Sequence, residues 1–497
     1  MTQQERNPIV YVRGFAGDTG GIDRAVGDPF YGFNDGSTQV RVSGGGDPVF
    51  HQFEGPLWRL HLDEGYEILV DGGQMAYLET HDKVPAASIW IHRFYDASAS
   101  AWGEKPQEFS IERAAENLLA LIEKLQIKTG APRVVLVAHS MGGLVCRCLI
   151  QKIIPDTRPG RPATDYVDKL FTYATPHGGI EFDVGFGLLE RLRDRFAIAG
   201  ADIFGPDRMH QYLTPSGRRD RDRDWRPQQM PDGFPLERVF CLIGTNPEEY
   251  DAAKGMSSRL VGAKTDGLVQ IENAYVPGAR HAFVHRSHSG PYGVVNSEEG
   301  YQNLRRFLFG DLEIQADLVK HRLPAGATWQ ADVRLSIRGL SVVMHEQTAA
   351  TWCPIQLTMP GAESTADRPE PLVTTFLNSH LPRPGAGPMR YALHLRIYPL
   401  RERDGIFDFR NHLEQVGDFD DILVVDVGTR HDRMVAWAVW NSTLSGAIGS
   451  YQPTVDPLLD EDQDAGTWEA EVPLPSTAVP ILGQEARVRL TVRSRAF

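Results

Sequence analysis

Two patterns predict an α/β fold followed by an all-β domain. Up to about residue 310, short apolar runs alternate with helical stripes, as in a mostly parallel sheet flanked by helices. Beyond residue 312 the apolar residues recur at every second position, as in antiparallel strands with one wet face. The expected division is therefore 1–311 and 312–497, the second part sandwich-like.

In the first part the strand candidates are "PIVYV" (8–12), "SIWIHRF" (88–94), "RVVLVA" (133–138), "KLFTYA" (169–174), "RVFCLIG" (238–244) and "AFVHR" (282–286). Ile111, Ala115, Leu118, Ile122 and Leu125 form a stripe at helical spacing between the second and third. A last helix starts at a capping Ser297, carries Glu298 and Glu299 in its first turn, and stops at Gly310. In the second part Val333, Leu335 and Ile337 alternate with polar residues. So do Tyr391, Leu393, Leu395 and Ile397, and Ala486, Val488, Leu490 and Val492. The stretch 359–389 is rich in Pro and Gly and reads as a surface loop.

The chain has 497 residues, 41% of them hydrophobic, enough for two cores. A net charge of −14 gives no electrostatic footprint for nucleic acid. Cys146, Cys148, Cys241 and Cys353 are too few and too scattered for a disulfide framework and read as packed thiols. "MTQQERN" carries no signal-peptide core, and no apolar run reaches transmembrane length. The expected localisation is cytoplasmic, or exported without a cleavable signal.

"VVLVAHSMGGLVCR" (134–147) joins a β-branched run to a helical one through Ser140. A serine on so sharp a strand-to-helix turn needs small residues two places to either side, because the two backbones crowd there. Ala138 and Gly142 supply them. The helix start then aims the Met141 N–H at a bound carbonyl oxygen. A plain helix-capping serine would leave a similar local pattern, so the helpers decide. "YVRGFAGD" (11–18) has glycines that turn the chain and can present the Phe15 N–H as a second oxyanion donor. "KTDGLVQI" (264–271) offers Asp266 on a turn, with Glu248, Glu249 and Asp251 as rivals. "FVHRSHSGPYG" (283–293) offers His288 beyond the last strand, with His285 inside that strand and His281 before it. The chain order Ser140, Asp266, His288 is the order such a sheet imposes.

Taken together, "VRGFAG", "AHSMGG", "ATPHGG", "TDGLV" and "HSG…VNS" resemble the α/β-hydrolase superfamily, within it bacterial lipases and esterases related to inositol deacylases. The resemblance covers about residues 8–310 and favours the histidine of "HSG". Two departures stand out: Arg13 replaces the usual histidine before the first glycine, and Ala138 replaces the elbow's first glycine. The resemblance implies a lid after "TPHGG", within 180–235. Phe182, Phe186, Leu189, Leu192 and Phe196 recur there at helical spacing. The insert 19–87 is expected to wall the pocket.

The resulting expectation is a carboxylic ester hydrolase of lipase or esterase type, acting through Ser140, His288 and Asp266 with Phe15 and Met141 as oxyanion donors. It needs no cofactor, and its partner is an acyl ester, lipid included. An acyltransferase or thioesterase could use the same triad, and a binding protein could keep the scaffold without the chemistry. The C-terminal domain shows no catalytic constellation and names no partner. "DEDQDAGTWEAE" (460–471) has the acidic spacing of a calcium loop but lacks its glycine and flanking helices, so a solvated acidic loop is expected.

Overall fold

The structure, a computed structural model, describes residues 6–14, 23, 26, 28, 37–42, 48–53, 55–69, 74–96, 109–180, 201–218, 224–230, 233–247, 264–290, 293–325, 327–357, 368–381, 387–400, 418–430, 433–446, 451–453, 456–462 and 466–495. They fall into two compact units, Met1–His281 with Arg286–Tyr301, and Ala282–His285 with Gln302–Phe497.

The mostly parallel sheet is built on β1 (Ile9–Val12), β4 (Glu67–Ile68), β5 (Ser88–Ile91), β6 (Val134–His139), β7 (Val167–Tyr173), β8 (Val239–Gly244) and β9 (Arg280–Val284). They lie in the order β4-β5-β1-β6-β7-β8-β9. The pairs from β4 to β8 are all parallel. Every residue of β1, β5 and β8 is buried, as a sheet covered on both faces requires.

The insert between β1 and β5 holds a hairpin of β2 (Ser37–Val42) and β3 (Pro48–Phe53), then α1 (Pro56–Glu64), β4 and α2 (Gln74–Thr80). Its short strand β4 extends the main sheet, so the insert is partly sheet edge.

Helix α3 (Ile111–Thr129) buries the predicted stripe. Ser110 caps it, and Gly130 closes it in the left-handed conformation at φ 72°. Helix α4 (Met141–Cys148) follows β6 directly. Helix α5 (Pro206–Leu213) lies further on, and α6 (Glu298–Phe309) starts where Ser297 Oγ accepts the Gly300 N–H.

The second unit contains a four-stranded sheet, β14-β10-β19-β18, and a larger one, β12-β11-β15-β16-β17, with β13 (Ile355–Gln356) paired to β11. The strands are β10 (Leu312–Val319), β11 (Thr328–Ile337), β12 (Val343–Gln347), β14 (Glu370–Leu377), β15 (Met389–Leu400), β16 (Phe419–Arg430), β17 (Arg433–Trp440), β18 (Thr467–Pro473) and β19 (Arg487–Ser494). All their pairings are antiparallel. The predicted alternating residues of β11, β15 and β19 form one core with Ile314, Leu318, Trp440 and Trp468. Arg390 and Asp426 make a buried bidentate pair at 2.8 and 2.7 Å between neighbouring strands of the larger sheet.

Two expectations change. The stretch 359–389 contains strand β14, in which Leu372, Val373, Thr375, Phe376 and Leu377 are buried. Its flanking Pro and Gly residues masked a run of β-branched and aromatic residues. The last strand of the mostly parallel sheet runs from Arg280 to Val284, so His281 lies inside it and His285 beyond it. The second unit takes in the end of α6, where Asn303 Nδ2 donates to the Met344 carbonyl at 3.0 Å.

Candidate active site

Strand β6 runs between β1 and β7, so its C-terminal end opens at the middle of the sheet edge. Ligand sites in parallel sheets collect at such edges. Ser140 stands there with φ 52° and ψ −127°. Such a backbone costs a non-glycine residue about 1–3 kcal/mol and persists only when its surroundings fix it. They do so here by three bonds. The Ser140 N–H donates to the Tyr173 carbonyl at 2.8 Å. The Ser140 carbonyl accepts the Gly143 N–H at 3.0 Å and the Thr175 hydroxyl at 2.9 Å.

Sterics explain the small neighbours. A Cβ on Gly142 would overlap the Val12 and Arg13 carbonyls. A Cβ on Gly14 would come within 2.6 Å of the Ser140 Cβ. Ala138 is fully buried, between Val12 on β1 and Thr172 on β7. The crowding that the sequence implied two places either side of the serine is therefore present, and the turn after β1 shares it.

The structure brings Ser140, His288 and Asp266 into one row. The Ser140 Oγ lies 2.9 Å from His288 Nε2, and His288 Nδ1 lies 2.9 Å from Asp266 Oδ2. A carboxylate only accepts, so Nδ1 carries the ring proton and Nε2 is left to accept from the hydroxyl. The other carboxylate oxygen accepts the Leu268 and Val269 N–H groups at 3.0 and 2.8 Å, which locks its orientation. All three side chains are buried: Ser140 is 4% exposed, Asp266 1% and His288 3%. The row thus works in a low dielectric, where each charge-assisted bond is stronger than in water.

Asp266 sits on the turn that Gly267 permits at φ 101°. His288 follows β9 and is tied to Asp266 a second time, its N–H donating to the Asp266 carbonyl at 2.9 Å. His285 is exposed past the end of β9. His281 accepts no proton from the serine either: its ring stacks on Tyr275, and burial lowers its pKa.

Met141 is the first residue of α4, and its N–H has no acceptor among the described residues. Phe15, Glu248, Glu249, Asp251 and residues 181–200 of the predicted lid, which carry its apolar stripe, lie outside the described residues. So does Asp464. Of the calcium-loop acids, Glu471 is on β18 and pairs with Lys320 at 2.5 Å and Arg489 at 3.0 Å. Among the described residues no cluster of His, Cys, Asp or Glu could hold a metal ion. No helix among them is long and apolar enough to cross a membrane.

Sequence reasoning passed over three supporting residues. Thr175 holds the elbow carbonyl. His139, partly buried, has its Nε2 2.9 Å from the His288 carbonyl. Arg147, on α4, is fully buried with no carboxylate partner among the described residues. It donates to Gln151 Oε1 and to the carbonyls of His177, Pro227 and Gln229, between 2.7 and 3.0 Å. Burial pushes this guanidinium down to about 10. The only sequence signal was position: His139 is next to the elbow serine and Arg147 two turns on.

Residues 95–292 match the alpha/beta hydrolase family. Among solved structures, the chain is similar to a gene product of Listeria innocua at 12% identity, covering 61% of this chain and 94% of that one, with a TM-score of 0.26. It is also similar to a proposed cell surface hydrolase of Lactobacillus plantarum, at 11% identity, 61% and 89% coverage and a TM-score of 0.23. A hyperthermophilic esterase of the archaeon Pyrobaculum calidifontis aligns at 13% identity, 62% and 76% coverage and a TM-score of 0.22. No curated protein sequence matches the chain.

Proposed function

We propose that the chain is a serine ester hydrolase, a reading consistent with the match of residues 95–292 to the alpha/beta hydrolase family. The observation that carries the reading is the buried row from Asp266 through His288 to the Ser140 hydroxyl, with both links at 2.9 Å.

In this reading Ser140 Oγ attacks the carbonyl carbon of an acyl ester, and its proton passes to His288 Nε2. Asp266 stabilises the imidazolium through Nδ1–H. The Met141 N–H, and the Phe15 N–H as second donor, take the negative charge that develops on the carbonyl oxygen. His288 returns the proton to the departing alcohol. Water, activated by the same imidazole, then releases the acid from the acyl-serine. The chemistry draws on no cofactor.

The acyl group is that of a carboxylic ester, a lipid ester included. A non-catalytic binding role would not require a buried carboxylate and an aligned imidazole beside a strained serine.

The test is fluorophosphonate labelling and hydrolysis of p-nitrophenyl esters, triglycerides and phospholipids by the full chain and by Ser140→Ala. Labelling and turnover are both expected in the parent, and Ser140→Ala should lose the first entirely and the second by several orders of magnitude. Turnover in the variant within about tenfold of the parent would overturn the proposal.

A further inference from the structure

We propose that His139 is a positioning residue for His288: its Nε2–H, on the residue just before Ser140, holds the His288 carbonyl and so fixes the base over the nucleophile. The inference rests on the reading of Ser140 as nucleophile and His288 as its base.

The bond itself is 2.9 Å long, and a carbonyl can only accept, so His139 is the donor and its tautomer is set. Its other nitrogen faces the turn after β1, where a Cβ on Gly14 would lie 3.2 Å from Nδ1. The two imidazole rings are 5.1 Å apart between centroids and tilted by 44°. His139 is thereby wedged between that turn and the His288 loop.

The His288 loop needs such a brace. His288 lies beyond the end of β9, and past it Gly290 turns the chain at φ 94°. Its own backbone groups are fixed by the site instead of by a strand ladder. The N–H goes to the Asp266 carbonyl at 2.9 Å, and the carbonyl receives His139. One link comes from the proposed acid and the other from the residue joined to the proposed nucleophile. One of the links between base and nucleophile therefore runs through a single side chain and a single peptide.

The electrostatics agree. Burial, the His288 ring and Arg13 together push the His139 imidazole down to about 3, against the opposing pull of its bond to the His288 carbonyl. His139 stays neutral while His288 takes and returns the serine proton. It adds no like charge beside the imidazolium, and no proton leaves it at any stage. It acts on geometry alone.

Three variants test this. A glutamine amide nitrogen stands about as far from Cβ as imidazole Nε2, whereas an asparagine amide reaches only the Nδ1 position. His139→Gln can therefore keep the donor, and His139→Asn and His139→Leu cannot. On p-nitrophenyl acetate, the Asn and Leu variants are expected to lose roughly 10- to 100-fold in kcat with KM within about twofold, because a misplaced base slows chemistry without touching substrate. His139→Gln should stay within about threefold of the parent in kcat. Fluorophosphonate labelling rates should follow the same order, and urea unfolding checks that each variant is folded. Should the Leu variant not fold, the Asn–Gln comparison decides.

Equal kcat in all three variants, or a loss in Gln as large as in Asn, overturns the inference. Ser140→Ala run alongside separates the two levels. If it keeps parental turnover, the reading of the site fails and this inference with it. If it is inactive while the three His139 variants behave alike, this inference alone fails.

Discussion

Gly142 lies against the Val12 carbonyl with no room for a methyl group. The helix after the elbow therefore presses on β1 through bare backbone, and neither partner is a flexible side chain that can turn aside. Gly142→Ala must push α4 away from β1 or unwind its first turn. Overpacking of this kind costs about 1–3 kcal/mol, and more when backbone is the obstacle. The midpoint of urea unfolding should fall accordingly, and the proposed ester hydrolysis should fall with it because Met141 moves with the helix. A variant as stable as the parent would show that the contact is slack.

Gly143→Ala offers a graded comparison. Its added methyl would overlap the Thr175 side chain, not backbone. Rotation can carry the Thr175 hydroxyl and methyl aside only by surrendering the bond to the Ser140 carbonyl, and the Thr175 Cβ, 2.8 Å away, must shift as well. We expect a smaller stability loss than in Gly142→Ala, with a turnover loss that Thr175→Val reproduces. Val keeps the branched shape and removes the hydroxyl. If Thr175→Val is fully active, the elbow is held without that bond.

Asp266→Asn tests the charge of the acid while sparing its shape. The backbone donors from Leu268 and Val269 can still be accepted by the amide oxygen. The amide nitrogen would then face His288 Nδ1 and favour the proton on Nε2, the nitrogen that must accept from Ser140. Turnover should drop by roughly three to four orders of magnitude with the fold intact. Substantial activity above that would move the acid elsewhere, for instance to Glu248, Glu249 or Asp251.

The two histidines of "FVHRSHSG" now separate more sharply. His285→Ala removes an exposed side chain beyond β9 and should change stability by less than about 0.5 kcal/mol. His288→Ala should leave a folded protein whose Ser140 labels slowly. Placing His285 inside the strand, as the sequence suggests, would instead make its loss costly to stability. That follows from a strand end misplaced by two residues, and periodicity alone is no better than that at element ends.

Much of this site was legible because its signals are local. A β-branched run, a serine between small residues and a helical stripe fix Ala138 to Gly142 without reference to the rest of the chain. Asp266 and His288 were legible through their turns and their order after strands. The period-two runs of β11, β15 and β19 gave the second core for the same reason, since alternation is written within each strand. What stayed hidden depends on distance in sequence. That His139 would meet a carbonyl 149 residues later has no trace in its own neighbourhood. Arg147 reads as a charge at the end of a helix, yet it is buried against carbonyls of Pro227 and Gln229. Strand β14 was lost in the opposite way, when turn residues on both sides outweighed eight residues between them.

Acid stability gives a prediction independent of catalysis. His92 follows β5, is 4% exposed, and its Nε2–H donates to the Ala114 carbonyl of α3 at 2.8 Å. Burial lowers its pKa from the ordinary 6.5 to about 4, with the bond to Ala114 and the charge of Asp96 opposing. Between those values the unfolded chain binds a proton that the folded chain refuses. Stability therefore rises with pH across this window, is complete above about 6.5, and is lost as pH falls towards 4. The size is on the order of 3 kcal/mol for one fully buried imidazole. His139 and His177 are also held low and add acid sensitivity of the same sign, with His177 shifted further by burial and by Arg147. Carboxylates such as Glu112, held low by Arg208, contribute below their own range. The difference between parent and His92→Gln isolates one group, because glutamine cannot titrate. From pH 6.5 to pH 4.5 the unfolding midpoint of the parent should fall more steeply than that of the variant, and the two curves should run parallel above pH 7. Parallel curves across the acid window as well would mean that His92 is charged in the folded protein, and that its burial costs nothing on acidification.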